Sequence, residues 1–317
     1  MTDDTLTPDE LTDRIAAVLA AAPGRRMLHQ RGVTVVGHFR AEPVARTLSS
    51  AALFSGEEIA VIARFSGTRG DSHDAETGDQ GLSVRFVPAS AEPTDLITFT
   101  LPVFFVRSGA DMLEFLTAVS AGPDSPEAMA DFRRRHPESH AALDRGSGGA
   151  PGSYAGQRYY SVHAFGLTGR GGGTTWARLE WHPDATVEPL GGDESITLAA
   201  DYLTDELDSR LPTVMTLHAR LPRDGDPVHD PTALWADPPR LLELGRMTLQ
   251  TRTADADLDF DPVRIAPGIT APLDRLAADR SAIYRLARAR RRAAAAVTGA
   301  QPQHHSSIPS NPKDIER

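Results

Sequence analysis

The chain has 317 residues, 40% hydrophobic, 24% charged and 6% aromatic, a globular composition that excludes a disordered or fibrous protein. With 43 acidic against 33 basic residues its formal net charge is −10, the opposite balance to that of a general nucleic-acid binder. It has no cysteine, which removes thiolate chemistry, thiolate metal ligation and disulfides, and suits a reducing compartment.

The first residues are acidic, with neither a basic region nor an apolar stretch of secretory type, and no run approaches the ~18 apolar residues of a membrane span. A cytoplasmic protein is expected. Thr7 caps a helix with Pro8 at its first position, followed by Leu11, Ile15, Val18 and Leu19 at helical spacing. From Gly32 the pattern changes to short apolar runs between turn residues: Val33 to Phe39, Ile59 to Phe65, Leu82 to Phe86 and Ile97 to Val106 read as strands. Helices follow at Met112 to Val119 and Ser125 to Leu143, then a Gly/Ser-rich loop from Gly146 to Gly156. Strands Tyr159 to Thr168 and Thr174 to Trp181 flank a glycine-rich hairpin turn. Asp201 to Leu211 reads as helix, Val214 to Leu221 and Leu242 to Thr251 as strands. Leu273 to Val297 reads as a long final helix with a break near Asp279, and the tail 298–317 as polar, aperiodic and disordered or peripheral. Strands in runs, with helices inserted and appended, favour an α+β fold with an antiparallel sheet or barrel, in one domain over 1–297.

Four segments carry residues suited to chemistry. In Arg26-Met27-Leu28-His29, a histidine just before a glycine and a strand can sit at the mouth of a barrel; alone it reads first as a solvent-exposed or merely structural histidine. Arg64-Phe65-Ser66 ends a strand, where the hydroxyl can fix a histidine tautomer or simply make a turn. Asp95 to Arg107 is apolar and aromatic with a proline inside, which also fits a bulged core strand. Arg280 and Tyr284 are four apart on a helix, with Arg288 and Arg291 continuing the stripe. A cation beside a phenol favours its ionised form; the bland alternative is a solvated basic helix.

Taken in order, these segments resemble the catalase superfamily. Arg26-x-x-His29-x-x-Gly32, Arg64-Phe65-Ser66, Gly81 to Phe86, Pro102-Val103-Phe104-Phe105-Val106-Arg107, Tyr160-Ser161-Val162-His163-Ala164-Phe165 and Arg280-x-x-x-Tyr284 follow the family's spelling from about residue 24 to 292. The resemblance is strongest to its short, single-domain peroxidases. It implies an antiparallel barrel wrapped by helices around one haem b, with a homodimer as the family's example. It also implies His29 as the acid/base above the haem and Ser66 as its orienting partner. Tyr284 would be the axial iron ligand, held as phenolate by Arg280. Arg26, Arg64 and Arg291, with Arg288 beside them, would serve the propionates, and Phe104 would pack on the porphyrin.

One departure bears on activity. Where the family carries an asparagine before its Thr-Pro-Val-Phe-Phe run, this chain has Phe99, which offers peroxide no hydrogen bond. The expected function is therefore a haem peroxidase that reduces organic hydroperoxides and hydrogen peroxide with a small organic donor, and has weak or no catalase activity. A specialised haem oxidase, isomerase or lyase, and a non-catalytic haem-binding barrel, are the other readings. The acidic loop Gly70 to Gln80 reads as solvated, and His136/His140 and His304-His305 do not form metal sites.

Overall fold

The computed structural model describes residues 6–67, 73–75, 78–146, 149–195, 197–254 and 257–298. Helix α1 (Pro8–Val18) starts at a capping box, Thr7 Oγ1 accepting from the Glu10 N–H while Glu10 accepts from the Thr7 N–H at 2.9 Å. Strand β1 (Gly32–Ala41), the short helix α2 (Ala45–Leu48) and a 3₁₀ turn at Ala52–Phe54 follow, then strands β2 (Glu58–Gly67), β3 (Gln80–Val87) and β4 (Thr94–Phe99). Helices α3 (Gly109–Ser120), α4 (Pro126–Arg135) and α5 (His140–Leu143) precede the hairpin β5 (Tyr159–Thr168) and β6 (Thr174–Pro183). Helices α6 (Gly192–Ser195) and α7 (Tyr202–Arg210), strands β7 (Thr213–Leu221), β8 (Arg240–Thr253) and β9 (Ile269–Thr270), and helix α8 (Arg275–Thr298) complete the described chain.

Strand order β4-β3-β2-β1-β8-β7-β6-β5, closed where Phe99 pairs with Tyr160, makes an 8-strand antiparallel barrel, to which β9 adds beside β5. The α+β barrel with packed helices is the fold the sequence implied. Alternate residues face inward, and large ones fill the barrel: Phe39, Phe65, Leu82, Tyr159 and Trp181 are all 0% exposed. Phe39 meets Phe86 edge-on at 5.1 Å and Trp181 at 6.2 Å. A barrel of this size has room for side chains and little else. A ligand site must lie elsewhere.

The outward residues show where. On β4, Leu96 belongs to the barrel core, while Ile97 and Phe99 join a second apolar cluster with Val103, Phe104, Phe105, Phe132 and Leu276. Helices α1, α3 and α8 share a third cluster containing Leu11, Ile15, Leu116 and Ile283. The wall of β2, β3 and β4 is thus roofed by helices, and the histidine expected at the barrel's mouth lies on this outer side.

Several boundaries differ from expectation for physical reasons. The strand starting near Ile97 stops at Phe99; beyond it the Gln80 N–H donates to the Thr100 side chain at 3.0 Å in place of a backbone oxygen, and the Phe104 N–H leaves the sheet for Pro231 O at 2.8 Å. The helix over Ser125 to Leu143 divides at Pro137, which forms a 3₁₀ turn between α4 and α5. Helix α8 runs unbroken through Asp279, whose carboxylate accepts the Gly109 N–H at 2.8 Å and so serves the start of α3. In the Gly70 to Gln80 loop, Asp74 and Gln80 are not solvated: Asp74 accepts the Leu203 N–H at 3.0 Å, and Gln80 is buried. The tail 299–317 lies outside the described residues, as does His304-His305.

Because Phe39 sits at the aromatic centre of the barrel, Phe39→Ala is expected to cost roughly 3–5 kcal/mol of stability, read by urea denaturation.

Candidate active site

The first half of the site comes from one row of the barrel. Gly32, Ser66, Gly81 and Phe99 stand side by side across β1, β2, β3 and β4. A Cβ at Gly32 would lie 2.5 Å from Arg64 Cζ and from Phe65 O, so the chain enters β1 only through glycine. Just before it, His29 has φ 53°, a left-handed conformation uncommon for histidine. That turn brings its ring to Ser66, with Oγ 3.1 Å from Nδ1. Arg64 straps the turn, donating to His29 O at 3.1 Å and Gln30 O at 3.3 Å. Gly81 keeps the pair together: a Cβ there would meet Ser66 Oγ at 3.1 Å and His29 Cε1 at 3.3 Å.

His29 is only partly covered by protein, and its ring borders a cavity enclosed between the barrel wall and the helices. Burial, reinforced by the charges of Arg64, Arg280 and Arg26, lowers its pKa from 6.5 to about 3. Its imidazole is neutral at neutral pH and free to accept a proton.

The second half comes from α8. Arg280 donates from Nε at 3.4 Å and from Nη2 at 3.1 Å to the Tyr284 hydroxyl oxygen one helical turn later. Its Nη1 lies 2.7 Å from His163 Nε2, and His163 Nδ1 lies 2.9 Å from Asp274 Oδ2. A guanidinium has no acceptor, so His163 Nε2 must accept and its proton sits on Nδ1, donating to Asp274. Burial pushes the His163 pKa down; the Asp274 carboxylate opposes this and the Arg280 charge adds to it. Asp274 also accepts the Ala277 N–H at 3.0 Å, which caps α8. Burial would raise its pKa, but the His163 bond and charge prevail and hold it below the ordinary value.

A bulge aims His163. Between Tyr160 and Ala164 the register of β5 slips against β6, and Val162 at the centre has φ 51°, a genuine outlier for a β-branched residue. Ser161 Oγ bridges the distortion, donating to His163 O at 2.7 Å and accepting from the Leu179 N–H at 3.0 Å.

Both halves face one cavity of about 230 Å³. His29, Ser66, Phe99, Arg26, Arg64, Phe104, Arg280, Tyr284, Arg288 and Arg291, which the sequence singled out, all border it. Phe99 stands between the halves, 5.8 Å from the His29 ring and 5.0 Å from the Arg280 guanidinium, which also lies 5.7 Å over Phe104.

A protein-family model described as Catalase matches residues 10–298. The chain belongs to the catalase family. It is 29% identical over 301 residues to a catalase-related peroxidase of Synechococcus elongatus, covering 90% of this chain and 89% of that one. A catalase-related peroxidase of Mycolicibacterium paratuberculosis is 28% identical, with 88% and 93% covered. Among solved structures, a fungal catalase superposes with a TM-score of 0.75 at 21% identity, over 95% of this chain but 66% of its own.

Catalase-family membership implies a haem, and the donor set here fits one. A phenol oxygen is fixed by a cation, an imidazole faces the same cavity, and Phe99, Phe104 and Phe105 supply apolar rings. At the rim, Arg26, Arg288 and Arg291 line the cavity with Asp79 and Asp259, and among the described residues Arg26, Arg85, Arg264, Arg288, Arg291 and Arg292 form ion pairs with Asp95, Asp257 and Asp259. In this structure Arg288 pairs with Asp259, and Arg291 with Asp257 at 2.7 Å.

Sequence reasoning missed His163 and Asp274 as site residues; His163 lay in a segment that follows the family's spelling, Tyr160 to Phe165, and Asp274 showed only as an aspartate before a helix. Among the described residues no group of three or more His, Asp or Glu could hold a metal ion. His136 instead contacts Glu114 and Glu138.

Two outcomes follow from this geometry. An unfolded chain protonates His29 below about pH 6.5 while the folded one resists until about pH 3, so its contribution to stability is full above 6.5 and shrinks on acidification through that window. Thermal melts should lose less between pH 6.5 and pH 4 in His29→Gln than in the wild type. Asp274→Asn leaves one acceptor oxygen for two donors, the His163 Nδ1–H and the Ala277 N–H, and removes the carboxylate charge beside the Arg280 network; roughly 3–5 kcal/mol of stability should be lost in denaturant melts.

Proposed function

We propose that the protein is a haem b peroxidase that reduces organic hydroperoxides and hydrogen peroxide with a small organic electron donor, has weak or no catalase activity, and acts in the cytoplasm. Residues 1–297 form its single domain. The observation that carries this reading is that one cavity holds both the His29–Ser66 pair and the Arg280-bound Tyr284. The names of the two peroxidase relatives, each matched over most of its length, support it.

Tyr284 would hold the iron of a bound haem through its phenol oxygen, to which two Arg280 N–H groups donate. Asp274 and His163 fix Arg280 and keep its charge directed at the phenol oxygen. A bound haem would supply the redox chemistry of O–O cleavage. His29, neutral through burial, takes the proton of the incoming hydroperoxide on its free nitrogen and returns it to the departing oxygen. Ser66 holds the ring through Nδ1 for both transfers. Arg26, Arg64, Arg288 and Arg291, which line the cavity, would serve a haem's propionates, and Phe104 would pack on its ring.

Phe99 sets the preference among peroxides. Its ring removes a hydrogen-bond donor beside His29 and lines the cavity with carbon, which disfavours hydrogen peroxide disproportionation and suits an apolar hydroperoxide.

Purified protein should bind about one haem, which Tyr284→Phe should largely lose. His29→Ala should slow organic-hydroperoxide turnover by roughly 10²–10⁴-fold; unchanged turnover removes the assigned role. Phe99→Asn should raise oxygen evolution from hydrogen peroxide by roughly 10²–10³-fold.

A further inference from the structure

The arginines at the cavity rim are already answered by carboxylates of the chain itself. Asp259, a rim residue, pairs with Arg288, with Arg264 at 2.8 Å and with Arg85 at 3.4 Å. Asp257 pairs with Arg291 at 2.7 Å and lies 4.0 Å from Arg26. Between them, Leu258 O accepts from Arg26 at 2.9 Å, so one short segment engages the rim from both sides.

These two aspartates differ from the third acid of the cluster. Asp95 is 0% exposed and takes Arg85 through both its oxygens, at 2.7 and 2.9 Å, and Arg264 at 2.6 Å. It also accepts the Asp261 N–H at 3.0 Å, so it anchors the segment to β4. Asp257 and Asp259 are 33% and 24% exposed, beside the cavity, and their loss leaves Arg85 and Arg264 still held by Asp95. They are the carboxylates that can let go.

We propose that Asp257 and Asp259 are internal competitors for the arginines that receive a bound haem's propionates: they hold Arg291 and Arg288 while no cofactor is bound, yield them on loading, and take them back as haem leaves. The inference rests on the haem-binding reading above and assigns this chain a latch over uptake and release of the cofactor. Removing either carboxylate leaves a more positive rim and no partner to recapture the freed arginine.

The test is transfer of haem from the holoprotein to excess apomyoglobin, followed by absorbance, in the wild type, Asp257→Asn, Asp259→Asn and the double variant. Release should slow about threefold to tenfold in each single variant and further in the double. With haem dimethyl ester, which has no free carboxylates, wild type and variants should release alike. Unchanged or faster release from variants that carry haem overturns the latch and leaves the haem reading standing, as does a difference that persists with the ester. A wild type that never takes up haem overturns both. If Asp259→Asn does not fold, Asp257→Asn alone decides, since its carboxylate lies at the exposed rim.

Discussion

A guanidinium buried to 5% exposure governs the layout of this protein. Arg280 cannot shed its charge, so each face of it must be satisfied where it lies. His163 takes one nitrogen, Tyr284 the others, and the rings of Phe99 and Phe104 cover its surface. Each partner comes from a different part of the fold: a bulged strand, the same helix, and the end of the meander. The site is as well defined as the set of elements that must converge on this one group.

The barrel contributes by being full. Its interior is closed to ligands by Phe39, Phe65, Tyr159 and Trp181, which leaves function to the outward residues of β2, β3 and β4. Alternation along a strand then does two things at once: Phe65 and Leu82 build the core, while Arg64, Ser66, Gly81 and Phe99 build the cavity wall. Backbone strain collects at the two histidines, at φ 53° for His29 itself and φ 51° for Val162 next to His163. The His29 ring reaches the cavity, and the His163 ring reaches Arg280, by conformations a regular strand would not give.

Electrostatics divides the cavity into three regions. The phenol end receives positive charge from Arg280, the imidazole end is kept neutral by burial beside arginines, and the rim pairs Arg288 and Arg291 with Asp259 and Asp257. The replacement of a polar donor by Phe99 makes the middle apolar. A bound iron porphyrin would bring two carboxylates suited to the rim arginines and an apolar ring suited to the middle, while the neutral His29 would serve a peroxide's proton, which is why the peroxidase reading is preferred to a merely haem-storing barrel.

The strands, the hairpin, the last helix and the spelling of the His29, Ser66 and Tyr284 segments were all legible in the chain, because periodicity and short motifs are local properties. So was the Arg280–Tyr284 pair, since four residues on a helix share a face. The tertiary structure alone decided that the site lies outside the barrel, that His163 and Asp274 complete the Arg280 network, and that Asp257 and Asp259 answer the rim arginines. Those facts depend on contacts such as His163 with Arg280, 117 residues apart, and on barrel closure at Phe99 and Tyr160. Pairing across such distances is fixed by packing of the whole sheet and its bulges, and no window of sequence encodes it.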